Sequence, residues 1–415
     1  MKKIEISAKY ELVTPLFMAG ANQTAEFRLE SYARVLRNMW RFLALGHLKD
    51  ENVAFLWEAI LFGWHAKPFG QGCIRFHLDE KPEEGLRQDW QNWNSTPGLN
   101  YLSAQGFKYR EPARIKSFKI RLVVRDRNLG AFNDADCLWQ KSIDILKKAI
   151  KALGLIGGMG SRTRRGYGSL MITEFDGDDT RFTDIQKYKT AIRSVLDCPF
   201  DGKLRYEVLS RQTMIDVCAS GSNPEELMNE IGFAFQVFRS WGQSNNGGGH
   251  VHAFERDKTV PGGSAKENVD FDSTKNDHNN FYKHYWEPNR IDNRAVFGLP
   301  HNYGNVSVGL SGENKPVRRA SGLQFHFHRI GKEVVFVQTV VQSQFKPDGN
   351  RIRVFERTRS KDLNDPPINW WEYPAKFRDF VRNPWPEVCD DKNHLKYTNY
   401  KNVDESVLPH AVTTT

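Results

Sequence analysis

Two apolar periodicities alternate along the first half of the chain, and their order leaves few possible folds. In KIEISAKYEL every second side chain over residues 4–12 is apolar, which is the period of a strand with one buried face. Residues 32–43 instead carry apolar side chains at helical spacing. CIRFHLDE and SFKIRLVV alternate again, a second helical pattern covers residues 139–153, and SLMITEF follows as a fourth strand. This β-α-β-β-α-β order predicts an α+β, ferredoxin-like fold, with an extra apolar helix at VAFLWEAILFGW.

Two helix ends are also predicted from residue type. Ser31 precedes the first helical pattern and is a candidate N-cap, because its hydroxyl can accept a hydrogen bond from the first turn. Gly154 follows the second pattern and is a candidate C-cap, where glycine is favoured. Arg34, Arg37 and Arg41 share a face of the first helix, which is therefore basic on one side and apolar on another.

The length of the chain predicts a second domain. A chain of 415 residues is too long for one ordinary core. We expect an N-terminal domain at 1–180, a linker at 181–200 and a C-terminal domain at 201–415. The C-terminal domain begins with a pattern similar to the start of the first half, namely KLRYEVLS followed by helical spacing from Leu227 to Trp241. Two later segments predict strands, GLQFHFHRI and EVVFVQTVV, and a late helix is predicted at INWWEYPAKFRDFVR. Residues 242–293 are rich in Gly, Asn and Asp without a sustained period, so we interpret them as a flexible insertion.

Charge and cysteine usage narrow the class of protein. The chain has 59 Lys and Arg against 50 Asp and Glu, a net charge of +9, which favours a polyanionic partner such as RNA, DNA or acidic lipid. Its five cysteines show no C-x-x-C spacing, which argues against a disulfide framework or a cysteine zinc site. No apolar run approaches the ~20 residues of a membrane span, so we expect a cytoplasmic protein without a membrane partner. The sequence predicts no cofactor.

The segment GLIGGMGSRTRRGYGS, residues 154–169, joins the second helix to the fourth strand and combines bare backbone with positive charge. Glycines permit positive φ and a close approach of another molecule, arginine forks match phosphate oxygens, and a tyrosine ring can stack on a base or a ribose. A P-loop is excluded because it needs a lysine and a following helix, and the dinucleotide fingerprint fails on the same topology. The alternative is a solvated, flexible turn. The candidate RNA-binding residues here are Gly157, Gly158, Gly160, Ser161, Arg162, Arg164, Arg165 and Tyr167.

Three motifs resemble a known family. GGMGSRTRRGYGS resembles the glycine-rich loop of the CRISPR RAMP superfamily, and TPLFMAG with AEFRLESYARVLRNMWR resembles the opening motif of the first-subunit family of type III-B (Cmr) effector complexes. RRASGL resembles an Arg-Arg-x-Ser segment of the same family. The opening motif departs from the family pattern after its serine, where Ala33-Arg34 stands in place of a basic residue followed by glycine. The candidate RNA-binding residues that these two further motifs add are Arg28, Ser31, Arg34, Arg37, Arg41, Arg318 and Arg319.

The resemblance implies two tandem ferredoxin-like, RRM-like RAMP domains with insertions, in a non-catalytic RNA-binding subunit that serves antiviral defence. The implied partners are CRISPR guide RNA near its 3′ end, single-stranded target RNA and the other RAMP subunits. The alternative is a metal-independent RAMP endoribonuclease that processes the guide precursor, with His250 and His252 as the candidate catalytic pair. A second pair, His326 and His328, alternates with apolar residues, which predicts a solvated strand face and no metal site.

Overall fold

The computed structural model describes most of the two predicted halves. The residues that it describes are 3–19, 25–67, 69–80, 82–84, 96–103, 112–113, 115–125, 135–200, 205–239, 296–298, 301–303, 306–311, 318–341, 343–344, 351–356, 359–362, 370–382 and 401–408. The predicted insertion 242–293, with His250 and His252, lies outside them. Within the described part, no helix has the length and apolar content needed to cross a membrane.

The first half forms an antiparallel sheet with helices packed against it. Its strands follow the order β4-β6-β1-β7-β8, with β5 also paired to β6. The predicted order of strands and helices is confirmed, including the extra apolar helix, α2. The elements are β1 (Lys3–Leu12), α1 (Leu29–Leu48), α2 (Glu51–Phe62), β2 (Gly63–Trp64), β3 (Gly70–Gln71), β4 (Ile74–Leu78), β5 (Glu83–Glu84), α3 (Pro97–Ser103), β6 (Ile115–Arg125), α4 (Ala135–Ile156), β7 (Leu170–Phe175), β8 (Asp178–Asp179) and α5 (Ile185–Val195).

The second half contains two further antiparallel sheets, ordered β12-β13-β9-β16 and β10-β11-β14-β15. The two predicted strands and the late helix are confirmed as β12, β13 and α7. The elements are β9 (Met214–Gly221), α6 (Pro224–Arg239), β10 (His301–Tyr303), β11 (Val306–Leu310), β12 (Leu323–Ile330), β13 (Glu333–Val340), β14 (Ile352–Glu356), β15 (Arg359–Asp362), α7 (Glu372–Arg382) and β16 (Lys401–Leu408).

Three local predictions were wrong. The strand that precedes α6 is β9, not KLRYEVLS; both faces of β9 are buried, so its sequence does not alternate. Helix α1 begins at Leu29 after Arg28, which places Ser31 inside the first turn. Helix α4 continues past Gly154, where a Cβ would lie 2.5 Å from the Cβ of Ile172, so this glycine lets α4 pack directly on β7.

The halves share their hydrophobic cores. Leu153 of α4 and Val217 of β9 belong to one cluster of buried residues, and Met171 of β7 packs in a second cluster with Phe325 of β12. The segment predicted as a linker, 181–200, carries α5, whose Tyr188 and Ile192 are buried in the first cluster. The predicted domain limits stay a prediction, but the connection itself is packed structure.

Candidate nucleic-acid interface

The glycine-rich loop, residues 157–169, is tied to the chain segment that follows β1. The amide of Ser161 donates to the carbonyl of Phe17 at 2.8 Å, and the amide of Gly168 donates to the carbonyl of Pro15 at 2.8 Å. Across the loop, the amide of Met159 donates to the carbonyl of Gly168 at 3.0 Å. The loop is therefore a fixed turn and not a flexible, solvated one.

Its glycines make room for the protein's own backbone. Gly158 does not have a positive φ, and a Cβ there would lie 2.7 Å from the carbonyl oxygen of Gly168. Gly168 has a φ of +64°, and a Cβ there would lie 2.0 Å from the carbonyl oxygen of Met159. The sequence indicated a close approach to another molecule, whereas the observed close approach is within the loop.

Arg164 and Arg165 connect this loop to the second half of the chain. The Arg164 guanidinium donates to both carboxylate oxygens of Glu207 at 2.8 Å and also to the carbonyl of Ser321. The Arg165 guanidinium lies over the Phe235 ring, 4.6 Å from its centroid. A bidentate carboxylate contact already neutralises the Arg164 charge, so this predicted phosphate ligand acts in the contact between the halves.

Tyr167 is fully buried next to the same contact. Its hydroxyl donates to the carbonyl of Leu99 at 2.8 Å, and its ring packs edge-on against Phe17 with centroids 5.3 Å apart. Burial raises the pKa of Tyr167 above its ordinary value. This ring packs inside the protein and offers no exposed face for stacking on a base.

Arg162 lies at the exposed turn of the loop, with a φ of +62°. Partial desolvation, together with the positive charge of the nearby Arg318, lowers the pKa of Arg162. Arg318 is exposed as well. Among the residues that the structure describes, neither arginine forms an ion pair with an acidic side chain. Two neighbouring positive charges without a carboxylate make this the most anion-attracting part of the described loop region.

Arg319, the second arginine of RRASGL, contacts other side chains of the protein. It donates to the Ser343 hydroxyl at 2.5 Å and lies 3.7 Å from Glu207, the same carboxylate that holds Arg164. Its guanidinium also covers the Trp370 ring at 5.4 Å from the centroid. Glu207 thus joins the glycine-rich loop to the RRASGL segment. Sequence reasoning missed Glu207, because nothing in the neighbouring sequence distinguishes it from the other glutamates of the chain.

The basic face of α1 is partly neutralised. Arg37 and Arg41 both donate to the carboxylate of Glu58 at 2.5 Å, and this carboxylate is 2% exposed. The hydrogen bonds that Arg41 donates to Glu58 raise the pKa of Arg41. Arg34 is exposed, and no ion pair of this residue lies within the described part of the chain.

The remaining predicted residues of this motif lie at the start of α1. Arg28 lies 3.7 Å from Glu26, both about half exposed. The amide of Ser31 donates to the carbonyl of Arg28 at 3.1 Å. Arg28 is therefore accessible, whereas the backbone of Ser31 is part of the first helical turn.

The prediction of a solvated face for His326 and His328 was wrong. Both are fully buried, because helices of the first half cover this face of β12. His326 Nδ1 lies 2.8 Å from the carbonyl oxygen of Gly157, and its Nε2 lies 3.3 Å from His328 Nδ1. The His328 ring stacks on Tyr188 of α5 at 4.3 Å. Burial lowers the pKa of His326 to about 3 and holds that of His328 well below its usual range. The pair is a neutral contact between the halves.

Comparisons with known proteins bear on the same region. Residues 9–171, which include the glycine-rich loop, match the family model of the RAMP superfamily, and this confirms the resemblance found in the sequence. No curated protein matches the chain.

Two solved structures are similar to the chain. Cmr1 from Pyrococcus furiosus in its apo form is 17% identical, with a TM-score of 0.46; the alignment covers 83% of this chain and 90% of that one. A chain of the type III-B Cmr-beta complex bound to cognate target RNA is 11% identical, with a TM-score of 0.48 and coverage of 92% and 100%.

Proposed function

We propose that this protein is a non-catalytic, RNA-binding subunit of a CRISPR RAMP effector complex of type III-B, whose two halves are both ferredoxin-like RAMP domains. Its partners are guide RNA near the 3′ end, single-stranded target RNA and other RAMP subunits. The family match over residues 9–171 supports this proposal, as does the common strand order of the sheets β4-β6-β1-β7 and β12-β13-β9-β16.

The observation that carries the RNA-binding role is the pair of neighbouring guanidinium groups, Arg162 and Arg318. Burial lowers the pKa of Arg162, and repulsion from the positive charge of Arg318 lowers it further. A phosphate placed between them would relieve that repulsion and accept hydrogen bonds from both. The contact is to backbone phosphate, so it positions RNA of any sequence.

The salt dependence of RNA binding tests this role. Replacing Arg162 and Arg318 together with glutamine should reduce the slope of log K against log salt by about 1.4, at ~0.7 for each single-strand phosphate. The matched control is the double glutamine variant of Arg181 and Arg211, which removes the same charge from two exposed arginines already paired with carboxylates. The control should keep the wild-type slope. A wild-type slope in the first variant would place the phosphate contacts elsewhere.

The absence of cleavage is tested in the same incubations. Labelled guide and target RNA should remain intact with the purified protein, because the described histidine pair, His326 and His328, is fully buried and cannot reach RNA as an acid or a base. Sequence-specific cleavage that disappears in the variant His250→Ala, His252→Ala would favour the endoribonuclease instead.

A further inference from the structure

Two aromatic side chains stand out on the surface of the described residues. Among the described residues, Trp64 at 46% and Tyr206 at 37% are the large hydrophobic side chains that are exposed. Neither belongs to the motifs that point to RNA. Trp64 follows α2 in the short strand β2, and Tyr206 lies in the chain between α5 and β9.

Arginines and a third ring connect these two side chains. The Arg37 guanidinium lies over the Trp64 ring at 5.7 Å, and that of Arg41 lies over the Phe55 ring at 5.8 Å. The Phe55 ring meets the Tyr206 ring edge-on, with centroids 5.0 Å apart. The Arg205 guanidinium then covers Tyr206 at 5.6 Å. We refer to the resulting surface as the aromatic–arginine track; it consists of Trp64, Arg37, Arg41, Phe55, Tyr206 and Arg205.

The cationic groups of the track are held in place. Glu58 binds Arg37 and Arg41 through its two carboxylate oxygens, and these arginines lie one turn, about 6 Å, apart along α1. Arg205 lies 3.0 Å from Glu51 at the start of α2. Fixed guanidinium groups lose little side-chain entropy when a ligand binds, so the surface is preorganised.

The track lies next to the glycine-rich loop. Arg41 interacts electrostatically with Glu207, and Glu207 holds Arg164 of the loop. The charged groups of Arg164, Glu207 and Arg41 thus connect the loop to the track.

We propose that the aromatic–arginine track is a base-stacking surface for single-stranded RNA, on which bases stack against Trp64 and Tyr206 beside guanidinium groups that Glu58 and Glu51 hold in place. This inference rests on the proposed function and extends it to a second contact surface. Aromatic rings alternating with positive charge are what sequence-tolerant single-strand binding requires. Aromatic residues and arginine are common at protein interfaces too, but the buried centre of such an interface is contiguous and apolar, whereas arginines separate the two exposed rings here.

Removing the rings and removing the bases should have the same effect. The probes are a labelled oligouridylate of about 20 nucleotides and the same chain with abasic residues at its central positions. Replacing Trp64 and Tyr206 with alanine should raise the Kd for oligouridylate at least about 5-fold for each ring, with an unchanged salt slope, because stacking releases no counterions. The abasic probe should bind this variant and the wild type equally.

The matched control keeps a ring at both positions. The variant Trp64→Phe, Tyr206→Phe should retain most of the affinity for oligouridylate, and a single cooperative urea transition in each variant shows that it is folded under the binding conditions. If the alanine variant binds oligouridylate as the wild type does, while the Arg162 and Arg318 variant still lowers the salt slope, this inference fails and the proposed function stands. If the wild type binds neither probe, both fail.

Discussion

Acidification should weaken the contact between the two halves through His328, and the variant His328→Phe should remove that weakness. The His328 ring is fully buried and stacks on Tyr188, with ring planes 23° apart. Its Nε2 has no hydrogen-bond partner among the described residues. A phenyl ring preserves the stacking and removes the His328 imidazole, together with its Nδ1 contact to His326.

The size of the effect follows from the difference in proton binding between the folded and unfolded chains. Burial holds the pKa of His328 well below its usual range, whereas in the unfolded chain it returns to about 6.5. Below that pH the unfolded chain binds a proton that the native chain does not, so the free energy of unfolding falls as the pH falls. At pH 5, about 1.5 units below the unfolded pKa, the loss from His328 is about 2 kcal/mol.

Urea unfolding of wild type and variant at pH 7 and pH 5 measures this loss. Between these two values, wild type should lose about 2 kcal/mol more stability than His328→Phe. The comparison must be a difference between proteins, because Glu230, whose pKa burial raises to about 7, gains stability on acidification, and His47 loses it. Both groups are common to the two proteins and cancel.

A matched substitution shows whether the effect is specific to burial. His77 is exposed on β4, and the pH dependence of the variant His77→Gln is the reference for replacing a histidine that is not buried. Parallel curves for wild type and His328→Phe, with equal m-values, would refute the reasoning. They would mean that His328 takes up its proton in the native state and that water reaches this contact between the halves.

Two further predictions concern the loop and the basic helix, and urea unfolding measures both. Gly168→Ala should destabilise the fold by about 3 kcal/mol or more, because the new Cβ would lie 2.0 Å from the Met159 carbonyl oxygen. The control Gly177→Ala also has a positive φ but open space around it, and it should cost about 1 kcal/mol. Equal costs would mean that the loop relaxes around the added Cβ. Glu58→Gln should cost about 3 kcal/mol, because it leaves two arginines of α1 without their buried carboxylate. The control Glu51→Gln removes a partly exposed carboxylate that pairs with Arg205 and should cost less than about 1 kcal/mol. A mild effect of Glu58→Gln would show that water replaces its carboxylate.

Element order was predictable because each element of the first half buries only one face. Strand β1 and helix α1 therefore carry the periods of 2 and 3.6 in their sequences. Strand β9 was missed for the converse reason, since it lies between β13 and β16 with both faces covered. Local periodicity records how many faces are buried, and a strand buried on both has no alternation to read.

The environment of the histidine pair was not predictable, because its cover comes from a distant part of the chain. Alternation correctly indicated that the faces of β12 differ, with Phe325 on one and His326 on the other. It did not show that Tyr188 and Gly157 of the first half lie over the histidine face. A polar strand face can be solvated, or buried by a second unit that satisfies its hydrogen bonds, and only the tertiary contacts distinguish these cases.

The contacts of the loop arginines were not predictable from the sequence either, because their partners lie far away along the chain. These contacts change the expected salt dependence of RNA binding. If the three arginines from Arg162 to Arg165 each met a phosphate, removing them would lower the slope by about 2.1, at ~0.7 per contact. In the structure Glu207 already neutralises Arg164, and the Arg165 guanidinium lies on the Phe235 ring, so these two residues connect the halves. The arginines left for phosphate are Arg162 and Arg318, which lie far apart in sequence but interact in the fold. Their expected contribution of about 1.4 therefore depends on a pair that only the fold brings together.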